Sequence, residues 1–225
     1  MRFKYTARRL NIHTTAALAL AALAVGFSVP ATASTPVRLP VDPSAQTSPD
    51  QAGATTSIHR IRGFLPDLRF SLEGAQGNTV TEKALEGKVV LLFFGYASCP
   101  DICPTTMAQL SQVVENLGAQ ADKVQIVFIS VDPHRDTPEI LHAYVSAFND
   151  HAIGLTGSER QVADVARRYR VAYQIEAPTS NDPDNYEVTH ARGIYIFDQK
   201  GRARFLASDS ESIDSLTASV QELLG

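Results

Sequence analysis

Cysteine is nearly absent. Cys99 and Cys103 are the only two in 225 residues. So few exclude a disulfide-stapled scaffold, because a bridge across three intervening residues restrains little chain entropy. Positive charge is scarce as well. Lys and Arg number 20 against 24 Asp and Glu, for a formal net charge of −4, and no basic stripe runs along the chain. That argues against nucleic acid as a partner. The apolar N-terminal run, Ala16 to Phe27, is twelve residues long, short of the roughly 20 that a membrane-crossing helix needs. No internal repeat is present, which excludes solenoid and propeller arrays.

What the N-terminus does contain is an export pattern. Arg2, Lys4, Arg8 and Arg9 precede the apolar run, and Ala31-Thr32-Ala33 fits a small-residue cleavage site before Ser34. Nothing from Leu10 to Val37 carries a formal charge with histidine neutral, so a retained membrane anchor stays open beside a cleaved signal. Loss of residues 1–33 leaves 16 cations and 24 anions, a net charge of −8. Residues 34–57, rich in Pro, Ser, Thr, Ala and Gln without periodicity, read as a flexible linker. Residues 58–225 are enough for one domain with its own core. The expected location is outside the cytoplasm, in a bacterial periplasm, either soluble or tethered to the inner membrane.

The two cysteines sit where a buried strand gives way to a helix. Val89-Val90-Leu91-Leu92-Phe93-Phe94 enters the loop. Met107, Leu110, Val113, Val114 and Leu117 leave it at spacings of three and four. Pro104 suits the first helical position, which would put Cys103 at or near the N-cap. The unpaired N–H groups of a helix start favour a thiolate there.

Downstream, Val124 to Val131 reads as a second strand. Asp132-Pro133-His134-Arg135-Asp136 is a loop, and Thr137-Pro138-Glu139 starts a helix. Ser158-Glu159-Arg160-Gln161 is a capping box for the next helix. Strands are expected upstream at Leu68–Leu72, where apolar residues alternate, and downstream at Val171–Ile175 and Gly193–Phe197. Asp198 to Gly201 then turns a hairpin before a final helix. Strands alternating with helices imply an α/β domain. The hairpin before a last helix is the thioredoxin-like ordering, a central mixed β-sheet flanked by helices.

The motif is C-x-x-x-C rather than C-x-x-C. The extra residue relaxes the tight redox geometry and lets two thiolates converge on a soft metal. Spacing by itself leaves metal binding and dithiol redox chemistry both open. A third ligand is sought among the histidines. His13 lies in the export signal, and His59 precedes the core. His142 and His151 read as surface. His134 follows the second strand, within reach of the thiols. His190 is the best candidate, because it lies just before the Gly193–Phe197 strand, whose entrance faces the thiol loop in such a sheet. Thioredoxin-type oxidoreductases keep a cis-proline at that point, and here no proline follows Pro183. That lack shifts the reading toward metal.

These residues resemble the Sco/SenC family. Phe93-Phe94-Gly95-Tyr96 followed by Cys99-Pro100-Asp101-Ile102-Cys103-Pro104-Thr105-Thr106 looks like its signature loop. Val131-Asp132-Pro133 with Arg135-Asp136-Thr137-Pro138-Glu139 is similar to its second motif. Gly154 to Ser158 and Tyr186-Glu187-Val188-Thr189-His190 match two more. The resemblance runs roughly from Phe64 to Leu224. It departs from the pattern at Ala97-Ser98 and Met107, none of which is a ligand position.

The resemblance implies a thioredoxin-like fold that binds copper, as Cu(I) and also Cu(II), through Cys99, Cys103 and His190. It implies a role in assembling the dinuclear copper centre of cytochrome c oxidase, with that enzyme's copper-receiving subunit as partner and another copper chaperone as a further one. Asp101, Asp132, Arg135 and Asp136 are expected to shape the site or dock a partner. An oxidising periplasm closes dithiols, so a periplasmic thiol reductase is a further expected partner. The chain reads as a metallochaperone rather than an enzyme. The alternative is a thiol-disulfide oxidoreductase using the Cys99–Cys103 pair as a redox-active disulfide on an exported client. A thiol peroxidase would need an activating set beside its cysteine that the sequence does not display. A copper sensor would carry the same site.

Overall fold

The computed structural model describes residues 58–225 apart from Arg62 and Phe64. The export-signal and linker readings of 1–33 and 34–57 lie outside the described residues. The elements in chain order are β1 (His59–Arg60), β2 (Ser71–Glu73), β3 (Thr79–Thr81), β4 (Val89–Gly95), α1 (Ile102–Asn116), β5 (Val124–Ser130), α2 (Pro138–Ser146), β6 (Ala152–Leu155) and α3 (Glu159–Arg168). They continue with β7 (Tyr173–Ile175), β8 (Val188–His190), β9 (Gly193–Phe197), β10 (Ala203–Ser208) and α4 (Ile213–Leu224). Among the described residues no helix is long and apolar enough to cross a membrane.

Every residue of β4 and β5 is buried. This is why both read as unbroken apolar runs, since a central parallel pair is covered on both faces. They pair in parallel from Val89↔Val124 to Gly95↔Ser130, with α1 as the crossover. β6 joins parallel to β5, and β9 joins antiparallel on the other side of β4. The sheet order is β1-β10-β9-β4-β5-β6. This is the expected mixed, thioredoxin-like sheet. α1 packs against α4, and α2 against β6.

Helix caps follow the sequence. Thr137 Oγ1 accepts from the Ile140 N–H (3.3 Å) with Pro138 at the first position, and Ser158 with Gln161 forms the full capping box. Gly118 follows the end of α1 at φ +54°, where glycine carries no Cβ penalty.

Four local expectations are corrected. The Leu68–Leu72 alternation is buried as expected, but only Ser71–Glu73 is strand, paired with β3. Before it, the Leu68 N–H goes to the Gly201 carbonyl (2.6 Å), the Arg69 N–H to the Tyr169 hydroxyl (2.7 Å) and the Phe70 N–H to the Glu82 carboxylate (3.2 Å). With those donors satisfied elsewhere, no ladder forms. β6 was not expected, because four residues are too few to show a period. Gly154 within it lets α2 approach, since a Cβ there would lie 2.8 Å from Leu141 Cβ. β7 and β8 form a separate two-stranded ribbon, so His190 ends its own strand rather than leading into β9. Cys103 lies near the N-cap but not at it, and Pro104 is not at the first helical position: Asp101 is the N-cap, Cys103 the second residue of α1 and Pro104 the third.

Candidate metal centre

Past Gly95 the chain leaves the sheet and turns, with the Cys99 N–H bonded to the Tyr96 carbonyl (3.2 Å). The Thr105 N–H bonds back to the Asp101 carbonyl (3.2 Å), so the N–H groups ahead of it in the first turn have no helical partner. Pro104 falls within this stretch and forfeits nothing.

The orphan donors converge on Cys99. Burial pushes its thiol pKa up, but the backbone N–H groups of Asp101, Cys103 and Ile102, with the Cys103 side chain, outweigh burial and hold it below the ordinary thiol value. Cys103 behaves oppositely. It is 0% exposed, and burial drives its pKa strongly upward. The Tyr96 N–H opposes this and the neighbouring Cys99 adds to it. The helix start therefore activates Cys99, not Cys103 as expected, because Cys103 sits inside the first turn rather than in front of it. Its sulfur lies against the Gly95 backbone: a Cβ at position 95 would be 2.7 Å from Cys103 Sγ and 2.8 Å from the Phe128 ring.

His190 enters from the ribbon. Its Nε2 is 3.4 Å from Cys103 Sγ, and its Nδ1 is 3.0 Å from the Ala191 carbonyl. A carbonyl only accepts, which assigns the proton to Nδ1 and leaves the Nε2 lone pair facing the sulfurs. Phe93 and Tyr96 hold the ring edge-on, at centroid distances of 5.9 and 6.0 Å. Burial, with a smaller repulsion from Arg192, lowers the imidazole pKa despite the Ala191 carbonyl and Asp209, so the ring is neutral near pH 7. One donor atom from each of Cys99, Cys103 and His190 lies within 4.8 Å of the others. Among the described residues no other such cluster of three or more histidine, cysteine or acidic side chains occurs. His134, which also follows a central strand, bonds instead to Asp184 (3.1 Å) on the surface.

The acidic loop is a clamp behind the cluster. Asp136 accepts from the Ala97 N–H (2.9 Å) and the Ser130 hydroxyl (2.6 Å), tying the cysteine loop to the end of β5. Burial raises its pKa, against the Ser130 and Ala97 donors. Asp132, fully buried, accepts from Arg135 Nε (2.5 Å) and the Tyr186 hydroxyl (2.8 Å). Arg135 also donates to the Asp184 and Tyr186 carbonyls (3.0 and 2.9 Å), and its guanidinium lies 3.8 Å over the Tyr186 ring. The segment leading into His190 is thereby stapled four residues upstream. Asp101 is exposed and contributes its backbone N–H to Cys99.

Sequence reasoning missed Gly95, Tyr96, Ser130 and Tyr186 as parts of the site. Tyr96 packs on His190. Its hydroxyl contacts the Cys99 side chain and receives the Val188 N–H, and its pKa is raised to about 12, first by burial and then by the nearby Cys99. Gly95 and Tyr96 stand directly before the cysteine loop, and Tyr186 opens the motif that ends at His190, so all three carry a usable signal. Ser130 carries none.

The SCO1/SenC family model matches residues 64–225. The chain belongs to the SCO1/SenC family. It is 39% identical over 133 residues to a SCO2-like protein of Rickettsia prowazekii, a stretch covering 59% of this chain and 64% of that one. The match thus spans just under two thirds of that relative's length. Among solved structures it resembles Arabidopsis thaliana ScoI with copper bound, at 37% identity and a TM-score of 0.64, over 70% of this chain and 97% of that one. It also resembles Bradyrhizobium japonicum ScoI with copper bound, at 37% identity and a TM-score of 0.63, over 70% and 98%. The thioredoxin-like fold is shared with both.

Proposed function

We propose that this SCO1/SenC protein binds one copper ion through Cys99 Sγ, Cys103 Sγ and His190 Nε2, and serves as a metallochaperone in assembling the dinuclear copper centre of cytochrome c oxidase. The convergence of two sulfurs and an imidazole lone pair within 4.8 Å carries this reading. The donor chemistry fits: thiolates select soft ions, Cu(I) above all, and imidazole suits both copper states. The Nδ1–carbonyl bond at Ala191 is the orienting contact that metal-bound histidines use. Copper supplies no chemistry here beyond being held and handed on. The chain's own groups align the donors, keep His190 neutral and bury Cys103. The exported, periplasmic setting and the reductase that keeps both thiols reduced belong to the same proposal. Asp132, Arg135 and Asp136 position the two loops that carry the ligands.

A second reading is favoured by the asymmetry of the thiols. Cys99 is partly exposed with a lowered pKa, and Cys103 is its buried neighbour. That is the arrangement of an attacking and a resolving thiol. Cys99 would attack a client disulfide and release one client thiolate. Cys103 would then displace the second, leaving the client reduced and the pair oxidised, to be reset by a reductase. Against it, no proline follows Pro183, where thioredoxin-type oxidoreductases keep one before the corresponding strand.

Copper stoichiometry on the reduced full-length chain separates the two. The expected result is one tightly bound copper, lost in Cys99→Ser and Cys103→Ser and weakened in His190→Ala. Wild-type affinity in His190→Ala would remove the third ligand. A wild-type chain without copper affinity, but with dithiol turnover untouched by His190→Ala, would establish the oxidoreductase.

A further inference from the structure

One edge of the ribbon beside the cluster is unpaired. The Ala191 N–H bonds to the Ala172 carbonyl (2.8 Å) and the Glu176 N–H to the Glu187 carbonyl (2.9 Å), either side of the Gln174↔Thr189 pair. Bonded and non-bonded pairs alternate in an antiparallel ladder. Ala172, Gln174 and Glu176 therefore turn their main-chain groups toward β8, while Tyr173 and Ile175 turn theirs outward. Among the described residues no hydrogen bond reaches those outward groups. An open edge of this kind is a template for another strand.

The edge is also apolar and acidic. Ile175 is 44% exposed. From Val171 to Ala191 the chain carries Glu176, Asp182, Asp184 and Glu187, with Arg170 and Arg192 just outside that stretch; Tyr173 has both Glu159 and Arg167 near it, so the acidic character belongs to the Ile175 end of the edge. Glu176 and Glu187 are exposed at the end of the ribbon where the ladder opens. The edge is continuous with the metal centre, because Tyr173 pairs with His190 and directly opposed residues share a face. A strand added beside β7 would run two strand spacings, about 10 Å, from the His190 main chain.

We propose that β7 receives an extended, cationic segment of the copper-receiving protein by strand addition, setting that protein's ligands beside Cys99 and His190. The inference rests on the copper-delivery reading. Main-chain groups of Tyr173 and Ile175 supply affinity. Ile175 and the flanking glutamates supply selectivity for alternating apolar and basic residues.

The test reads amide exchange by NMR on the reduced full-length chain, with a ten-residue peptide of alternating valine and lysine. The lysine peptide should slow exchange at Tyr173 and Ile175 at least tenfold and leave Gln174, already bonded to β8, unchanged. The matching valine–glutamate peptide should do nothing. Glu176→Lys with Glu187→Lys should weaken the lysine peptide at least fivefold without changing copper stoichiometry. Peptide binding without slowing at Tyr173 and Ile175, or equal effects of both peptides, overturns the proposal. So does slowing that rises with protein concentration alone, which would assign the edge to a second copy of this chain. A chain that binds copper but ignores the peptide loses only the strand addition. A chain that takes the peptide but no copper loses the reading of the cluster, and with it this partner.

Discussion

Gly95→Ala isolates how the Cys103 sulfur is held. The glycine's φ lies outside the left-handed region, so alanine costs nothing in backbone conformation there. The effect must come from contact. The new Cβ would stand 2.7 Å from Cys103 Sγ and 2.8 and 3.0 Å from two atoms of the Phe128 ring. Relaxed carbon contacts begin near 3.5 Å, so something moves by about 1 Å. Phe128 is fully buried against Phe93 and Tyr144, at ring distances of 6.1 and 5.3 Å. The sulfur hangs on one rotatable bond and gives way first. Overpacking of this kind costs about 1–3 kcal/mol.

Metal sites tolerate roughly 0.2 Å in ligand distance, so copper affinity should fall at least tenfold with all three ligands still present. Gly154→Ala is the control. It overpacks Leu141 at 2.8 Å, in a strand that carries no ligand. Urea unfolding should register both substitutions. Competition with a Cu(I) chelator should register only Gly95→Ala. If both variants lost stability and both kept wild-type copper affinity, the claim that Gly95 seats the sulfur would be refuted.

Iodoacetamide should modify Cys99 more than tenfold faster than Cys103 in the native reduced chain, because Cys103 is fully buried, with the difference gone in denaturant; equal native rates would contradict the burial. The folded pKa of His190 lies below its ordinary 6.5. Between those two values the unfolded chain binds a proton that the folded chain does not. Urea midpoints of the copper-free chain should therefore fall as pH drops from 6.5 through that window, and His190→Ala should remove this part of the slope. Arg135→Ala leaves the fully buried Asp132 without its cation, and breaking such a pair costs about 3–5 kcal/mol. Adding Asp132→Asn should restore part of that loss, and a double variant no more stable than Arg135→Ala would show that the charge is not what matters.

Much of the site could be read along the chain because its signals are local. The run from Val89 to Phe94 and the stripe from Met107 to Leu117 place the cysteines between a strand and a helix from spacing alone. His190 could be picked out because the strand order places the entrance to β9 near the thiol loop, although the residue proved to end β8. Two of the errors share a cause. A segment such as Ala152–Leu155, or the stretch before Ser71, takes its conformation from distant partners, the β5 edge in one case and Gly201, Glu82 and Tyr169 in the other. Nothing within either stretch names those partners.

Local signals along the chain establish which atoms are present for chemistry: two thiols at a helix start, one histidine near the last antiparallel pair, and an acidic loop between them. They do so because strand and helix periods and Pro, Gly and Ser punctuation act over a few residues. What each atom does is set by the packing of distant elements. That packing buried Cys103 against Gly95 and left Cys99 facing the orphan N–H groups, and it turned the His190 lone pair inward by tying Nδ1 to Ala191. It also made Asp132, Arg135 and Asp136 into clamps on the cysteine loop and on Tyr186. Burial, donor direction and hydrogen-bond partners are set by elements far apart in sequence, and neither spacing nor composition encodes which of them will meet.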